Sequence, residues 1–225
     1  MNRPRMNLYG FPHKGLRNGL SQVSMAAGTA NASDPASIDS LKTLADELFA
    51  LLEHHAHSEE SVVLPALEAK LAGSTADNLA EHERLEAVIA SLKEMLNAVE
   101  PGSSPGALAG FYGAFSNFHA EYLAHMAMEE GKMLPLIWDN FSDEELMGQH
   151  GRIMASFTPE QILIGFKYIV PALNSIERGI IMGGFKANAP APFFDSVMAM
   201  LSTQMPGREY QAMATVLGYA SPASA

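Results

Sequence analysis

The 225-residue chain contains no cysteine. This absence excludes disulfide bonds, thiolate zinc sites and iron–sulfur clusters, so any metal must be bound through nitrogen and oxygen. Long apolar runs are also lacking: none approaches the roughly 20 residues that span a bilayer, and residues 1–20 have no continuous apolar core of a secretory signal. We therefore expect no membrane partner and a cytoplasmic location.

Basic residues are few. The chain has 14 Lys and Arg against 25 Asp and Glu, which gives a formal net charge of −11. Phosphate contacts require a basic surface, so this charge argues against a nucleic-acid partner. Hydrophobic residues make up 48% and charged residues 17% of the chain, which indicates a globular and not a disordered protein.

The spacing of the apolar residues predicts an all-α fold. From residue 36 to about residue 140 they recur on one helical face in three stretches, separated by a turn at 73–75 and a loop at 101–106. Another helix is predicted from Pro12 onward, although Gly15 and Gly19 each disfavour it by up to about 1 kcal/mol. Four helices with short connections indicate an up-down four-helix bundle.

The composition changes after residue 141. Ser142 and Glu145 have the pattern of a capping box at the start of a helix. Prolines at positions 171, 190, 192 and 206 then divide an apolar, Met-bearing remainder into short helices. We therefore predict a bundle domain, residues 1–141, and a C-terminal helical extension, residues 142–225, that serves packing or forms a homodimer.

Two segments share the pattern H-x-x-x-E-E-x-x-x-L-P. They are HAHSEESVVLP, which begins at His55, and HMAMEEGKMLP, which begins at His125. A single histidine with a leucine three residues later precedes each segment at nearly the same distance: His13 lies 42 residues before the first and His82 lies 43 residues before the second. A repeat of this kind indicates that a helical hairpin was duplicated.

Helical geometry explains the spacing within each motif. Residues four apart are offset by about 40° around the helix axis, so the histidine and the first glutamate of each motif share one face. The second glutamate of each motif, Glu60 or Glu130, lies about 100° further round and is expected to face solvent. The two legs of each hairpin have similar lengths, which predicts that six side chains meet at one height of the bundle: His13, His55, Glu59, His82, His125 and Glu129.

Four imidazoles and two carboxylates suit a pair of divalent transition-metal ions. Imidazole favours iron, manganese, zinc and copper over magnesium and calcium, and a carboxylate can bridge two ions. Bridged ions usually lie about 3.5–4 Å apart. Two buried carboxylates would be costly alone, and bound metal would offset that cost.

These motifs resemble the hemerythrin-like (HHE cation-binding) family over roughly residues 10–140. The likeness is carried by HKGL (13–16), HHAHSEESVVLP (54–65), HERL (82–85) and HMAMEEGKMLP (125–135). The resemblance implies a non-heme diiron site in which Glu59 and Glu129 bridge two iron ions, with manganese or zinc as possible substitutes. It also implies four terminal ligands: His13, His55, His82 and His125.

The resemblance implies oxygen binding, sensing of oxygen, iron or nitric oxide, or handling of iron or peroxide. Oxygen carriers of the family have a second histidine four residues from the one on the third helix, where this chain has Asn78 and Glu86 around His82. Their last motif ends in Asp with a longer spacing, where this chain has Glu129. Sensing or redox handling therefore fits this chain better than reversible oxygen carriage.

The expected function is a diiron protein that binds, senses or reacts with oxygen, peroxide or nitric oxide. A diiron oxidase or peroxide-decomposing enzyme is one alternative, and a helical interaction protein with a degenerate site is another. Within the site, His119 is the replacement ligand if the helix that carries His13 does not form. Tyr122, one turn before the second motif, would line the site or, as is more common at this spacing, belong to the core.

Overall fold

The computed structural model of the protein describes residues 5–102 and 104–220. These residues are helical and contain no strand, which confirms the predicted all-α fold. They form two compact units, divided between Phe157 and Thr158. No helix among them has the length and apolar content needed to cross a membrane.

Four long helices build the first unit. The first of them packs against the second and the fourth, and the third packs against the same two, so the four close into a bundle as predicted. Gly73, with a φ of +81°, lies in the turn that leads into the third of these helices. Their bounds are α1 (Gly10–Thr29), α2 (Pro35–Ser58), α4 (Ala76–Asn97) and α5 (Pro105–Met128).

The helix predicted from Pro12 forms despite its glycines. The Asn7 side-chain oxygen accepts hydrogen bonds from the backbone N–H groups of Tyr9 and Gly10, both at 2.9 Å, just before α1 begins. Most helical stability in proteins comes from packing an apolar face, which offsets the low helix propensity of Gly15 and Gly19. That face is buried in the bundle through Leu16, Leu20, Val23 and Ala27.

A π-helical turn follows each of the two helices that carry the repeated motif. The turns span Glu59–Val63 and Glu129–Met133, and each begins at the first glutamate of its motif. Short helices then continue the same paths as α3 (Leu64–Lys70) and α6 (Leu134–Asn140). Apolar periodicity does not distinguish these turns from α-helix. Single π-helical turns inside α-helices are frequent at functional sites.

Two clusters of buried apolar side chains lie on either side of the motif residues along the helices. On α1, Tyr9 belongs to one cluster and Leu16 to the other, with His13 between them. On α2 and its continuation, Leu52 and Val63 occupy the corresponding positions. The motif residues therefore form a polar layer inside an apolar bundle.

Helix α7 (Asp143–Ser156) belongs to the first unit, although the composition changes at residue 141. It begins with the predicted capping box. The hydroxyl of Ser142 accepts a hydrogen bond from the N–H of Glu145 at 3.2 Å, and the Glu145 carboxylate accepts one from the N–H of Ser142 at 2.7 Å. Lys70, at the end of α3, donates to the same carboxylate at 2.7 Å.

The second unit has a separate apolar core, formed by residues such as Phe166, Met182, Phe194 and Leu201. Its helices end or begin beside the prolines, as predicted. The buried guanidinium of Arg178 donates hydrogen bonds to two carbonyls of the last turn of the unit's first helix, at 3.0 Å and 2.9 Å. The helices are α8 (Pro159–Ala172), α9 (Ser175–Asn188), α10 (Ala191–Gln204) and α11 (Gly207–Val216).

Candidate metal centre

The four bundle helices bring all six predicted side chains together in the polar layer. The histidines lie on the four long helices, His13 on α1, His55 on α2, His82 on α4 and His125 on α5, and Glu59 and Glu129 begin the π-helical turns that follow α2 and α5. The side chains are almost inaccessible to solvent, the most exposed being His55 at 10%. Burial of this many titratable groups is rare unless they are paired or bind a metal.

The ligand atoms form two groups that share a carboxylate. In each group, the nitrogen and oxygen atoms lie within 4.8 Å of one another. One group holds His13, His55, Glu59 and Glu129, and the other holds His82, His125 and Glu129. The two groups overlap at Glu129.

Glu129 presents one carboxylate oxygen to each group. Its Oε2 lies 3.3 Å from Nε2 of His13, in the first group. Its Oε1 lies 3.2 Å from Nε2 of His125 and 3.5 Å from Nε2 of His82, in the second group. The two oxygens of the carboxylate therefore face different histidines, His13 on one side and His82 and His125 on the other.

Glu59 makes the corresponding contacts from the other motif. Its Oε1 lies 2.9 Å from Nε2 of His55, and its Oε2 lies 3.5 Å from Nε2 of His82. Both carboxylates therefore divide their oxygens between the two histidine pairs. A site assembled this way has approximate twofold symmetry, as the sequence repeat predicts.

The outer nitrogens of the histidines are bonded to the second glutamate of each motif. Nδ1 of His13 lies 2.8 Å from Oε1 of Glu130, and Nδ1 of His82 lies 2.9 Å from Oε1 of Glu60. These glutamates are about one-third exposed (36% and 34%), so the prediction that they face solvent is only partly correct. Each reaches inward to the histidine of the other half because the two hairpins pack side by side.

These bonds fix the tautomer of the imidazoles. A carboxylate accepts a hydrogen bond, so the proton of His13 is on Nδ1, and the same holds for His125, whose Nδ1 lies 3.3 Å from Oε2 of Glu81. Nε2 then presents a lone pair to the interior. Carboxylates that hold the outer nitrogen of a ligating histidine orient the ring and make it a stronger ligand.

Arg17 completes the arrangement on the side of α1. Its Nη1 and Nη2 donate hydrogen bonds to Oε1 and Oε2 of Glu130 at 2.7 Å and 3.1 Å. These bonds, together with the neighbouring His13, outweigh the effect of burial and lower the pKa of Glu130. Glu130 is therefore held ionised, as an acceptor for the imidazole N–H must be.

The inward-facing atoms fit a metal pair because they are ligand atoms without hydrogen-bond partners. Nε2 of His13 lies 3.1 Å from Nε2 of His55, close to the spacing of about 3.0 Å for two nitrogens on adjacent octahedral positions of one ion. Lone pairs that face each other in a dry interior repel unless a cation lies between them. The atoms left unpaired are Oε1 and Oε2 of Glu59, Oε2 of Glu129, and Nε2 of His82 and His125.

In the metal-free protein, burial and the close packing of these titratable side chains shift the pKa values of Glu59 and His55. Burial, together with the charge of Glu129, raises the pKa of Glu59. Burial, together with the neighbouring His13, lowers the pKa of His55 to about 3. The histidine is therefore neutral near pH 7, which is the form that binds metal, and bound cations would relieve the repulsion between the two carboxylates.

The structure adds side chains to the site that the motif pattern missed. Nδ2 of the buried Asn78 donates a hydrogen bond to Oε1 of Glu129 at 3.0 Å. Tyr9 packs beside His13 with ring centroids 5.0 Å apart, and its hydroxyl is buried without a partner. Asn78 could have been predicted as part of the site, because it lies four residues before His82. Nothing in the sequence pattern indicated Tyr9.

The structure shows where Tyr122 and His119 lie, the two residues whose roles the sequence left open. Tyr122 is buried in the core and also lies against the site, with its ring centroid 5.5 Å from that of His125. His119 is not among the side chains that meet in the polar layer; its Nδ1 is 2.8 Å from the hydroxyl of Ser24. His13, and not His119, occupies the first-helix position of the cluster.

A small recess opens beside His82. Its enclosed room is about that of one water molecule. Apolar side chains form most of its wall, and two glutamates complete it: Leu52, Ala56, Leu85, Ile89, Tyr122, Glu53 and Glu86. A recess of this size has room for a molecule no larger than about one water.

Comparison with known proteins agrees with the geometry. A curated relative, a zinc finger protein BRUTUS-like from Arabidopsis thaliana, is 22% identical over 185 residues, which cover 81% of this chain but only 15% of the relative. No solved structure matches the chain. The family model described as the hemerythrin HHE cation binding domain matches residues 11–137, which include both motifs and both single histidines. The chain therefore belongs to the hemerythrin HHE cation-binding domain family.

Proposed function

We propose that this protein binds two iron ions and that the iron pair binds, senses or reacts with oxygen, peroxide or nitric oxide. The observation that carries the proposal is the division of the carboxylate oxygens: Glu59 and Glu129 each direct one oxygen to each histidine pair. The proposed ligands are His13, His55, Glu59, His82, His125 and Glu129.

The ligands would divide evenly between the ions. One ion would be held by His13 and His55 and the other by His82 and His125, each with one oxygen from either glutamate. Two imidazoles and two carboxylate oxygens suit iron and leave coordination positions open on each ion. When bound, an iron pair supplies those open positions and the electrons for chemistry with oxygen, peroxide or nitric oxide.

The surroundings of the ligands support a small ligand over an organic substrate. The recess beside His82 has room for about one water molecule, and most of its wall is apolar. An apolar recess can accept a small neutral molecule at little desolvation cost, whereas a bulky substrate would have to separate the helices. This favours binding or sensing over an oxidase that acts on organic molecules.

Metal analysis tests the proposal. Protein purified from iron-supplied cells is expected to contain two iron ions per chain, with manganese and zinc measured in the same sample. The double variant E59A/E129A is expected to contain none, because both ions lose both bridging carboxylates. The double variant E83A/E94A, which removes two exposed glutamates of α4, is the matched control and should retain two ions.

Two results would contradict the diiron proposal. One is less than one metal ion per chain in the wild-type protein, which would favour the helical interaction protein with a degenerate site. The other is retention of both irons by E59A/E129A. A spectral change on adding oxygen or nitric oxide to the ferrous protein, without turnover of peroxide, would support binding or sensing; repeated turnover would support the enzyme.

A further inference from the structure

The hydroxyl of Tyr9 is a buried donor without an acceptor. The side chain is 1% exposed, and no hydrogen-bond partner for its oxygen lies among the described residues. A hydroxyl that is buried without a partner destabilises a protein by about 1–3 kcal/mol, so such groups usually have an additional role. The apolar neighbours of Tyr9, such as Val63, Leu64 and Met133, supply none.

The other unpaired atoms of the layer differ from this hydroxyl in chemical kind. They are carboxylate oxygens, imidazole Nε2 atoms and the amide oxygen of Asn78, all of them acceptors. Cations would satisfy the carboxylates and the imidazoles. A cation cannot satisfy a phenol O–H, which needs an acceptor that the described protein atoms do not provide.

Tyr9 lies within electrostatic reach of both bridging carboxylates but outside hydrogen-bond distance of them. Burial, and then the charges of Glu59 and Glu129, raise the pKa of Tyr9 well above its ordinary value. The phenol therefore keeps its proton. The ring of Tyr9 packs against that of His13, with centroids 5.0 Å apart, which places Tyr9 beside a candidate ligand of the metal pair.

We propose that Tyr9 is a ligand-binding residue, whose O–H donates a hydrogen bond to a small anion bound at the metal pair. The inference rests on the proposed function, since the anion needs the metal pair. The hydroxyl would stabilise negative charge on the bound ligand from the side of His13. It would distinguish ligands that accept a hydrogen bond from those that do not.

Tyr112 provides a control. It is also a tyrosine of the bundle, but it lies on α5, 13 residues before His125, and is 45% exposed. It is not among the side chains of the ligand layer. Y9F and Y112F thus make the same chemical change inside and outside the site.

The experiment uses azide as the probe on the full-length ferric protein. Iron content is measured first, and two ions per chain are expected in wild type, Y9F and Y112F. Azide is then titrated by absorption spectroscopy. Loss of one hydrogen bond to a charged ligand is expected to weaken azide binding roughly 10- to 100-fold in Y9F, and Y112F should stay close to wild type.

A second measurement does not depend on the variants. In the wild-type protein, the vibrational frequency of bound azide should differ between H₂O and D₂O, because the donated proton exchanges. Equal azide affinity in wild type and iron-loaded Y9F, or no isotope shift in wild type, would overturn the inference. So would a phenolate-to-iron absorption band that Y9F lacks, since Tyr9 would then be a metal ligand.

The iron content distinguishes failure of the proposed function from failure of the proposed role of Tyr9. Wild-type protein without iron would overturn the proposed function and this inference together. Wild-type and Y9F proteins that both hold two irons and bind azide equally would overturn only the role of Tyr9.

Discussion

His13 and Glu130 are joined by a 2.8 Å contact between Nδ1 and Oε1, while Nε2 of the same ring lies 3.3 Å from Oε2 of Glu129. Glu129 and Glu130, which are consecutive in the second motif, thus contact the two ring nitrogens of His13. Glu59 and Glu60 hold His82 in the same way, with distances of 3.5 Å and 2.9 Å. Each half of the chain therefore positions the other half's histidine.

The variant E130Q should weaken iron binding roughly 10- to 100-fold without unfolding the protein. The amide keeps the shape of the side chain but removes the charge that orients His13 and makes it a stronger ligand. Competition with a chelator measures the affinity. E83Q, at an exposed position of α4, is the matched control, and equal affinities in the two variants would show that the contact does not support the site.

The variant N78A should also weaken iron binding, by about tenfold, because Glu129 loses the hydrogen bond that orients its Oε1. N97A, at the exposed end of the same helix, is the control. Iron affinity measured by competition should decrease only in N78A. If N78A and N97A bind iron equally, Asn78 serves packing alone.

Removal of the metal should destabilise the first unit selectively. A ligand present at 100 times its dissociation constant stabilises the folded state by about 2.7 kcal/mol, which corresponds to roughly 5–10 °C in Tm for a unit of this size. Chelation should therefore lower Tm and accelerate amide hydrogen exchange in α1, α2, α4 and α5 but not in α8–α11. The E59A/E129A protein should not respond to the chelator; a similar response there would assign the effect to another site.

The metal-free protein should lose stability in acid partly through His55. Its folded-state pKa, lowered by burial and by His13 to about 3, is below the ordinary 6.5, so between these values the unfolded chain binds a proton that the folded chain does not. Stability is therefore fully present above pH 6.5 and decreases as the pH falls towards 3, by at most about 1.4 kcal/mol per pH unit.

Urea unfolding of metal-free wild type and H55N between pH 7 and pH 4 measures this effect. Asparagine does not titrate, so the stability of H55N should decline less steeply over this range. The comparison cancels contributions of groups common to both proteins. Parallel pH profiles would show that His55 is not held neutral by the fold.

Most of what could be predicted about the fold and the ligand cluster came from the repeated motif. The spacing of His55 and Glu59 specified a shared helical face, and duplication predicted their counterparts, because helical geometry is regular. The π-turns were not predictable, since a turn of one extra residue leaves the apolar pattern almost unchanged. The inward reach of Glu60 and Glu130 was missed for a related reason: rotation about one helix does not report which neighbouring helix lies alongside.

Tyr9 illustrates a second limit of sequence reasoning. It lies at the start of α1, in a segment whose only visible signals were glycines and a proline. Whether a hydroxyl is buried without an acceptor depends on which atoms of distant helices surround it. Periodicity within one helix cannot predict that.

The glutamates of each half contact the first-helix histidine of the other half, and this bears on how the chain evolved. If the hairpin was once a separate half-length chain, the outer nitrogen of its first-helix histidine had no glutamate partner within the same copy. Two copies related by a twofold axis would have completed each other's site, since an isologous pairing repeats every contact. The earliest form of this centre would then have been a symmetric dimer, with one histidine pair on either side of its axis, before fusion joined the copies into one chain.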